Sequence, residues 1–158
     1  MSLIKKIILL LPLIFFTSLN ILSAEEIKKI GKYKDWESLV ITETTGKVCF
    51  AQSLPILQAP KSNKREAKLF VTFRPSEKIK DEISVSPGYE FSKNNSVTAT
   101  SGKKKIKFDI IQQGFAWIAD NKIEKKMIKV MKKGSQTIDH YSLLGFTKAY
   151  NTAKKACS

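Results

Sequence analysis

The sequence of 158 residues contains a single histidine, two cysteines and, among 28 Lys+Arg, only two arginines. One histidine and two cysteines leave too few ligands for a His/Cys metal cluster. There is no Cys-x-x-Cys spacing, so a dithiol redox motif is missing. No glycine-rich phosphate loop or Walker pattern is present, and no nucleophile elbow. Acidic residues are scarce, 14 against the 28 basic ones, for a formal net charge of +14. The few that adjoin, Glu25-Glu26 and Asp81-Glu82, do not form a glycosidase pair by spacing, because neighbours on a strand point to opposite faces. With 42% apolar and 27% charged residues, the chain has enough apolar material for a core and is not a disordered polycation. Its length suits one domain.

The first 24 residues have the order of a secretory signal peptide. Lys5 and Lys6 precede the uncharged apolar run from Ile7 to Phe16, and Leu22-Ser23-Ala24 stand before Glu25. An apolar core of about ten residues is short of the roughly 20 that a spanning helix needs. Residues 25–158 are then expected as a single mature domain with no transmembrane span. Without the two leader lysines, 26 basic residues face 14 acidic ones, for a charge of +12. Export places Cys49 and Cys157 where thiols become disulfides. Only one intramolecular pairing exists, Cys49–Cys157. The alternative is two separate buried thiols, since free cysteine packs as a small hydrophobe.

Alternating apolar and polar residues mark half-buried strands. Lys68 to Arg74 places Leu69, Val71 and Phe73 on one face, and Lys105 to Ile110 alternates in the same way. Ile83 and Val85, Val97 and Ala99, and Phe115 and Trp117 continue the pattern. Residues 37–42 and 47–52 flank Thr44-Thr45-Gly46, a hairpin turn. Residues 60–66 form a polar loop. The expected fold is mainly β, an antiparallel β-sandwich or barrel-like domain of about 7–8 short strands with two helices. The first helix, about 121–133, opens on Asn121 and Glu124 as a capping box and repeats Ile123, Met127, Val130 and Met131 at helical spacing before Gly134. The second, about 145–157, carries Phe146, Ala149, Tyr150, Ala153 and Cys157 on one stripe. Cys157 thereby faces the core, which favours a bridge to the strand holding Cys49.

Several local patterns occur in order along residues 31–157: Lys34-Asp35-Trp36, Lys47-Val48-Cys49-Phe50-Ala51, Val71-Thr72-Phe73-Arg74-Pro75, Glu82 to Tyr89, Gly114-Phe115-Ala116-Trp117, Met131-Lys132-Lys133-Gly134, Asp139 to Phe146, and Ala156-Cys157. Together they resemble the invasion-associated locus B family of exported bacterial proteins. The resemblance implies a β-rich domain of the periplasm or cell envelope of a Gram-negative bacterium, or a secreted one. It supplies no catalytic residues. Family members carry a longer segment where this chain has only Ser135 to Ile138 between Gly134 and Asp139.

Three groups of residues are candidates for function. Lys122, Lys125, Lys126, Lys129, Lys132 and Lys133 recur on one side of the first helix, a face that suits anionic lipid, lipopolysaccharide or another polyanion. The plainer reading is a solvated helix face in a lysine-biased composition. Arg74 is suited to a structural ion pair with Glu82 or Asp139, or alternatively to a ligand. His140, beside Asp139, is the one side chain for a hydrolase or transferase reading, which also needs a Ser or Thr within reach. Nucleic acid is disfavoured as a partner, because no aromatic residues interleave the lysines. The expectation is an exported, non-enzymatic envelope protein, without cofactor or metal, that binds an anionic envelope surface or an envelope protein. A periplasmic enzyme using His140 and Asp139 is the alternative.

Overall fold

The computed structural model describes residues 26–62, 65–92, 96–101, 104–133, 137–138 and 140–158. The leader reading on residues 1–24, the helix stop Gly134, and Asp139 lie outside the described residues. The chain forms β1 (Ile27–Tyr33), β2 (Trp36–Glu43), β3 (Gly46–Ser53), β4 (Lys68–Arg74), β5 (Ile79–Ser86), β6 (Val97–Ser101), β7 (Lys104–Phe108), β8 (Ile110–Gln112) and β9 (Phe115–Trp117). Helix α1 (Asn121–Lys132), β10 (Thr137–Ile138), β11 (Tyr141–Ser142) and helix α2 (Phe146–Ala156) complete it. Seven strands form one antiparallel sheet in the order β1-β2-β3-β4-β5-β9-β8. β6 pairs with β7, and β10 with β11. The fold is therefore mainly β, as expected. Its main sheet is open rather than closed into a barrel.

Strand register explains which face is buried. Trp36, Ser53, Leu69, Val85 and Ala116 lie opposite one another across β2, β3, β4, β5 and β9, as do Ser38, Ala51, Val71 and Ile83. Both rows share one face because side chains alternate along a strand. The helices cover that face and complete one core with Met127, Ile128, Met131, Phe146, Ala149, Tyr150 and Ala153. The opposite row runs Glu37, Gln52, Phe70, Ser84, Trp117 and Ile110. On this second face Phe50 meets Phe70, Phe70 meets Phe115, and Phe115 stacks on Trp117.

Three local expectations are corrected. The run Lys105 to Ile110 is not one strand. β7 ends at Phe108, whose side chain is buried, and β8 starts at Ile110 in the main sheet. The alternation continues through Asp109, so it carries no sign that the chain changes sheets. In β9 the core-facing residue is Ala116, fully buried, while Phe115 and Trp117 are half-buried on the other face. Helix α1 is capped by Asp120, not Asn121, with its carboxylate accepting from the Lys122 N–H at 2.7 Å. Placing the cap one residue earlier leaves Glu124 off the capping-box position.

The C-terminal region is tied to the first strands. Cys49 and Cys157 form a disulfide across 108 residues of sequence. Trp36 Nε1 donates to Ser142 O at 2.8 Å, and Ser38 Oγ donates to Ala149 O at 2.8 Å, both buried. The Trp36 ring meets Phe146 edge-on at 4.8 Å. At the start of α2, Gly145 has φ +91°, and a Cβ there would lie 1.8 Å from the Tyr33 carbonyl oxygen. Only glycine allows both the left-handed backbone and that close approach.

Two outcomes follow for this clamp. Gly145→Ala combines a strained backbone with a backbone clash and should lower stability by about 3 kcal/mol or more in urea unfolding. Closing a loop of this length is worth at most about 4–5 kcal/mol in the chain-entropy treatment. The denatured protein should take up no thiol label before reduction and two after it, and reduction should lower the urea midpoint. Unchanged midpoints in either experiment would contradict the clamp.

Candidate functional site: a basic helical face

Helix α1 is amphipathic. Glu124, Met127, Ile128 and Met131 are buried, so the inward stripe contains Ile128 and a glutamate that the apolar periodicity does not reveal. Lys122, Lys125, Lys126, Lys129, Lys132 and the C-cap Lys133 are all exposed. Helix α2 is similar. It buries Phe146, Ala149, Tyr150 and Ala153 and exposes Lys148, Lys154 and Lys155. The two lysine rows adjoin, because Lys132 Nζ lies 3.8 Å and Lys154 Nζ 5.8 Å from the Tyr150 ring centroid. Sequence reading found the α1 lysines but not their continuation onto α2. Seen on its own, α2 has only three lysines at scattered positions.

This face lacks counter-charge. The acidic residues on the two helices and their caps are the buried Glu124 and the N-cap Asp120. Among the described residues, the ion pairs involve Lys29, Lys32, Arg74 and Lys107, none of them on a helix. Lys132 also packs on the fold beneath it. Burial against the Tyr150 ring, and then the nearby Lys154 charge, lower its pKa. The Tyr150 hydroxyl in turn donates to Asp81 on β5, and burial followed by that bond raises the phenol's pKa.

Glu124 seats the helix on the sheet. Its Oε1 accepts the Ile83 backbone N–H at 2.8 Å. Burial pushes its pKa up to about 7, with the negative groups Glu82, Asp81 and Asp120 adding to the rise and the Ile83 bond opposing it. Arg74, Lys78, Lys80 and Lys125 line the same depression. Arg74 pairs with Glu82, whose two carboxylate oxygens accept from its Nη2 at 2.8 and 2.9 Å. Glu77 stands 3.6 Å from Arg74 Nε. Burial raises the Glu82 pKa against the pull of Arg74. Arg74 thus joins β4 to β5 at the end of the sheet.

His140 is exposed at the rim of a cleft of about 730 Å³. Its carbonyl accepts from the Ile56 N–H at 2.7 Å. Ser86, Ser96 and Thr98 line the same cleft, and no described lining residue is a carboxylate. The structure therefore does not bring His140 together with an acid among the described residues, and Asp139 falls outside them.

No protein-family model matches the chain, and neither the curated proteins nor the solved structures contain a match. Among the described residues, no helix is long and apolar enough to cross a membrane.

Glu124 gives this surface a pH dependence. Its folded-state pKa, about 7, lies above the unfolded value of 4.5. Between those values the native state holds a proton that the unfolded state has released, so stability falls as pH rises from about 4.5 to 7. Glu124→Gln keeps an oxygen for the Ile83 N–H and cannot ionise. It should flatten that slope and raise the melting temperature at pH 7.5 relative to the wild type. An unchanged slope across pH 4.5–7 would show that Glu124 does not control it.

Proposed function

We propose that this protein is an exported, non-enzymatic envelope protein that docks on an anionic surface through the outward faces of α1 and α2. The observation that carries this reading is the nine exposed lysines of the two helices, adjoining and without an exposed acid between Asn121 and Lys133 or along α2. Like charges held this close repel one another, and a polyanion relieves that repulsion. The rigid seat beneath them supports the same reading. α1 is fixed by Glu124 and its buried stripe, and α2 by the disulfide and the buried Ser38 hydroxyl bond to Ala149 O. A backbone fixed in this way leaves only the lysine side chains to be ordered on binding.

The compartment is part of the proposal. The leader-like first 24 residues and a disulfide suit an oxidising space outside the cytoplasm. The ordered motifs that resemble the invasion-associated locus B family point to the same place. Lipopolysaccharide and anionic phospholipid share the chemistry required, closely spaced phosphates on a surface.

Each lysine near an anionic surface is worth about 1 kcal/mol. The combined variant Lys122→Gln, Lys126→Gln and Lys129→Gln should therefore bind vesicles containing phosphatidylglycerol, or lipopolysaccharide, about a hundredfold more weakly. Wild-type binding should fall steeply with salt. Changing Lys61, Lys68 and Lys105, which lie off the helices, removes the same charge and should cost much less. Equal losses from both sets would reduce the effect to net charge and overturn the proposed docking face. Wild-type affinity in the helix variant would overturn it as well.

A further inference from the structure

A second concavity is lined by none of the helical lysines. It is bounded by the segment after β3, the ends of β5 and β6, and the residues before β11. Its volume of about 730 Å³ is within the range of small-molecule sites. Leu57, Val85, Tyr89, Phe91, Phe108 and Tyr141 supply apolar walls. Apart from the phenols of Tyr89 and Tyr141, the titratable or charged lining groups are Arg65 and His140.

Arg65 is held in place rather than dangling. Gln58 grips its backbone from both sides, with Nε2 donating to Arg65 O at 2.9 Å and Oε1 accepting from Arg65 N at 3.1 Å. Arg65 Nη2 donates to Ala59 O at 2.6 Å, and the guanidinium carbon lies 5.3 Å from the Tyr89 ring centroid. Its Nε is shielded from solvent and has no hydrogen-bond partner among the described residues. No ion pair among the described residues neutralises the side chain. A shielded N–H on an unneutralised cation, beside apolar walls, is complementary to an anion with an apolar body.

We propose that this cleft binds a single-chain amphipathic carboxylate of the fatty-acid type, its carboxylate on Arg65 and its alkyl chain along the apolar walls. One guanidinium balances one negative charge, and a guanidinium fits a carboxylate's planar geometry. This site is separate from the lysine face and does not depend on it.

Decanoate below its micelle concentration is the probe, titrated into the disulfide-bonded protein by calorimetry, with backbone amide shifts to locate it. Saturable one-site binding is expected, with shifts at Val85, Ala99 and His140. Decanol and decyltrimethylammonium should bind at least tenfold more weakly. Arg65→Gln should weaken decanoate at least tenfold and Arg65→Lys by less, while Arg65→Gln leaves vesicle binding unchanged. Ser96→Trp, at an exposed lining position, should block the cleft and abolish binding even if the Arg65 variants fold poorly. The Lys122, Lys126 and Lys129 variant should retain full decanoate affinity. Equal affinity for decanoate and decanol, no saturable binding, or full affinity in Ser96→Trp would overturn the proposal.

Discussion

The segment from β11 through α2 is held on β2 and β3 by bonds that join the two ends of the described chain. Trp36 Nε1 reaches Ser142 O, Ser38 Oγ reaches Ala149 O, and Cys49 is bonded to Cys157. Each spans more than a hundred residues of sequence. The serine is notable because a helix carbonyl in mid-element already accepts an intrahelical bond. Its second lone pair takes the Ser38 hydroxyl, so a polar residue is buried on the core face of the sheet without an unsatisfied group. With α2 fixed, Tyr150 is positioned over the sheet, where its ring seats Lys132 and its hydroxyl reaches Asp81. The placement of α1, and of the lysines it carries, follows from that clamp together with Glu124.

Charge is divided between the layers of the fold. Of charged residues the helices expose lysine alone, whereas the carboxylates lie mostly on strands and turns. There they engage basic partners, as Glu37 does with Lys29 and Lys32, Glu82 with Arg74 and Asp109 with Lys107. A composition biased to lysine explains a high net charge, but it does not explain why acids are kept off two adjoining helices. Glu124, the exception, is turned inward and held by a backbone N–H.

Much of this was legible in the sequence, to a degree set by how well periodicity reports burial. The stripe Phe146, Ala149, Tyr150, Ala153 emerged whole because its residues are all apolar and evenly spaced. Strands β2, β3 and β4 were legible to within a residue or so for the same reason. Strand β1 was missed. It is an edge strand rich in lysine, with a register shift between Lys29 and Gly31 that breaks the alternation. Glu124 was misread as a capping residue because a carboxylate near a helix start usually faces solvent. Its actual partner, the Ile83 N–H, lies 41 residues away. The face of β9 was inverted for a related reason. Size suggests that Phe115 and Trp117 fill the core, but the strand turns Ala116 to the core face and leaves both rings half-buried on the other. The cleft around Arg65 left no local trace, since its walls come from five separated stretches of chain.

The two tryptophans fall on opposite sides of the sheet. Trp36 is fully enclosed against Phe146 beneath the helices, while Trp117 is half-buried beside Phe115 on the opposite face. Their emission therefore reports from two different environments. Loosening of the helical layer would register as a red shift from Trp36, whereas quencher access in the intact protein would single out Trp117. The molecule thus contains a pair of native optical probes, one for each side of its sheet.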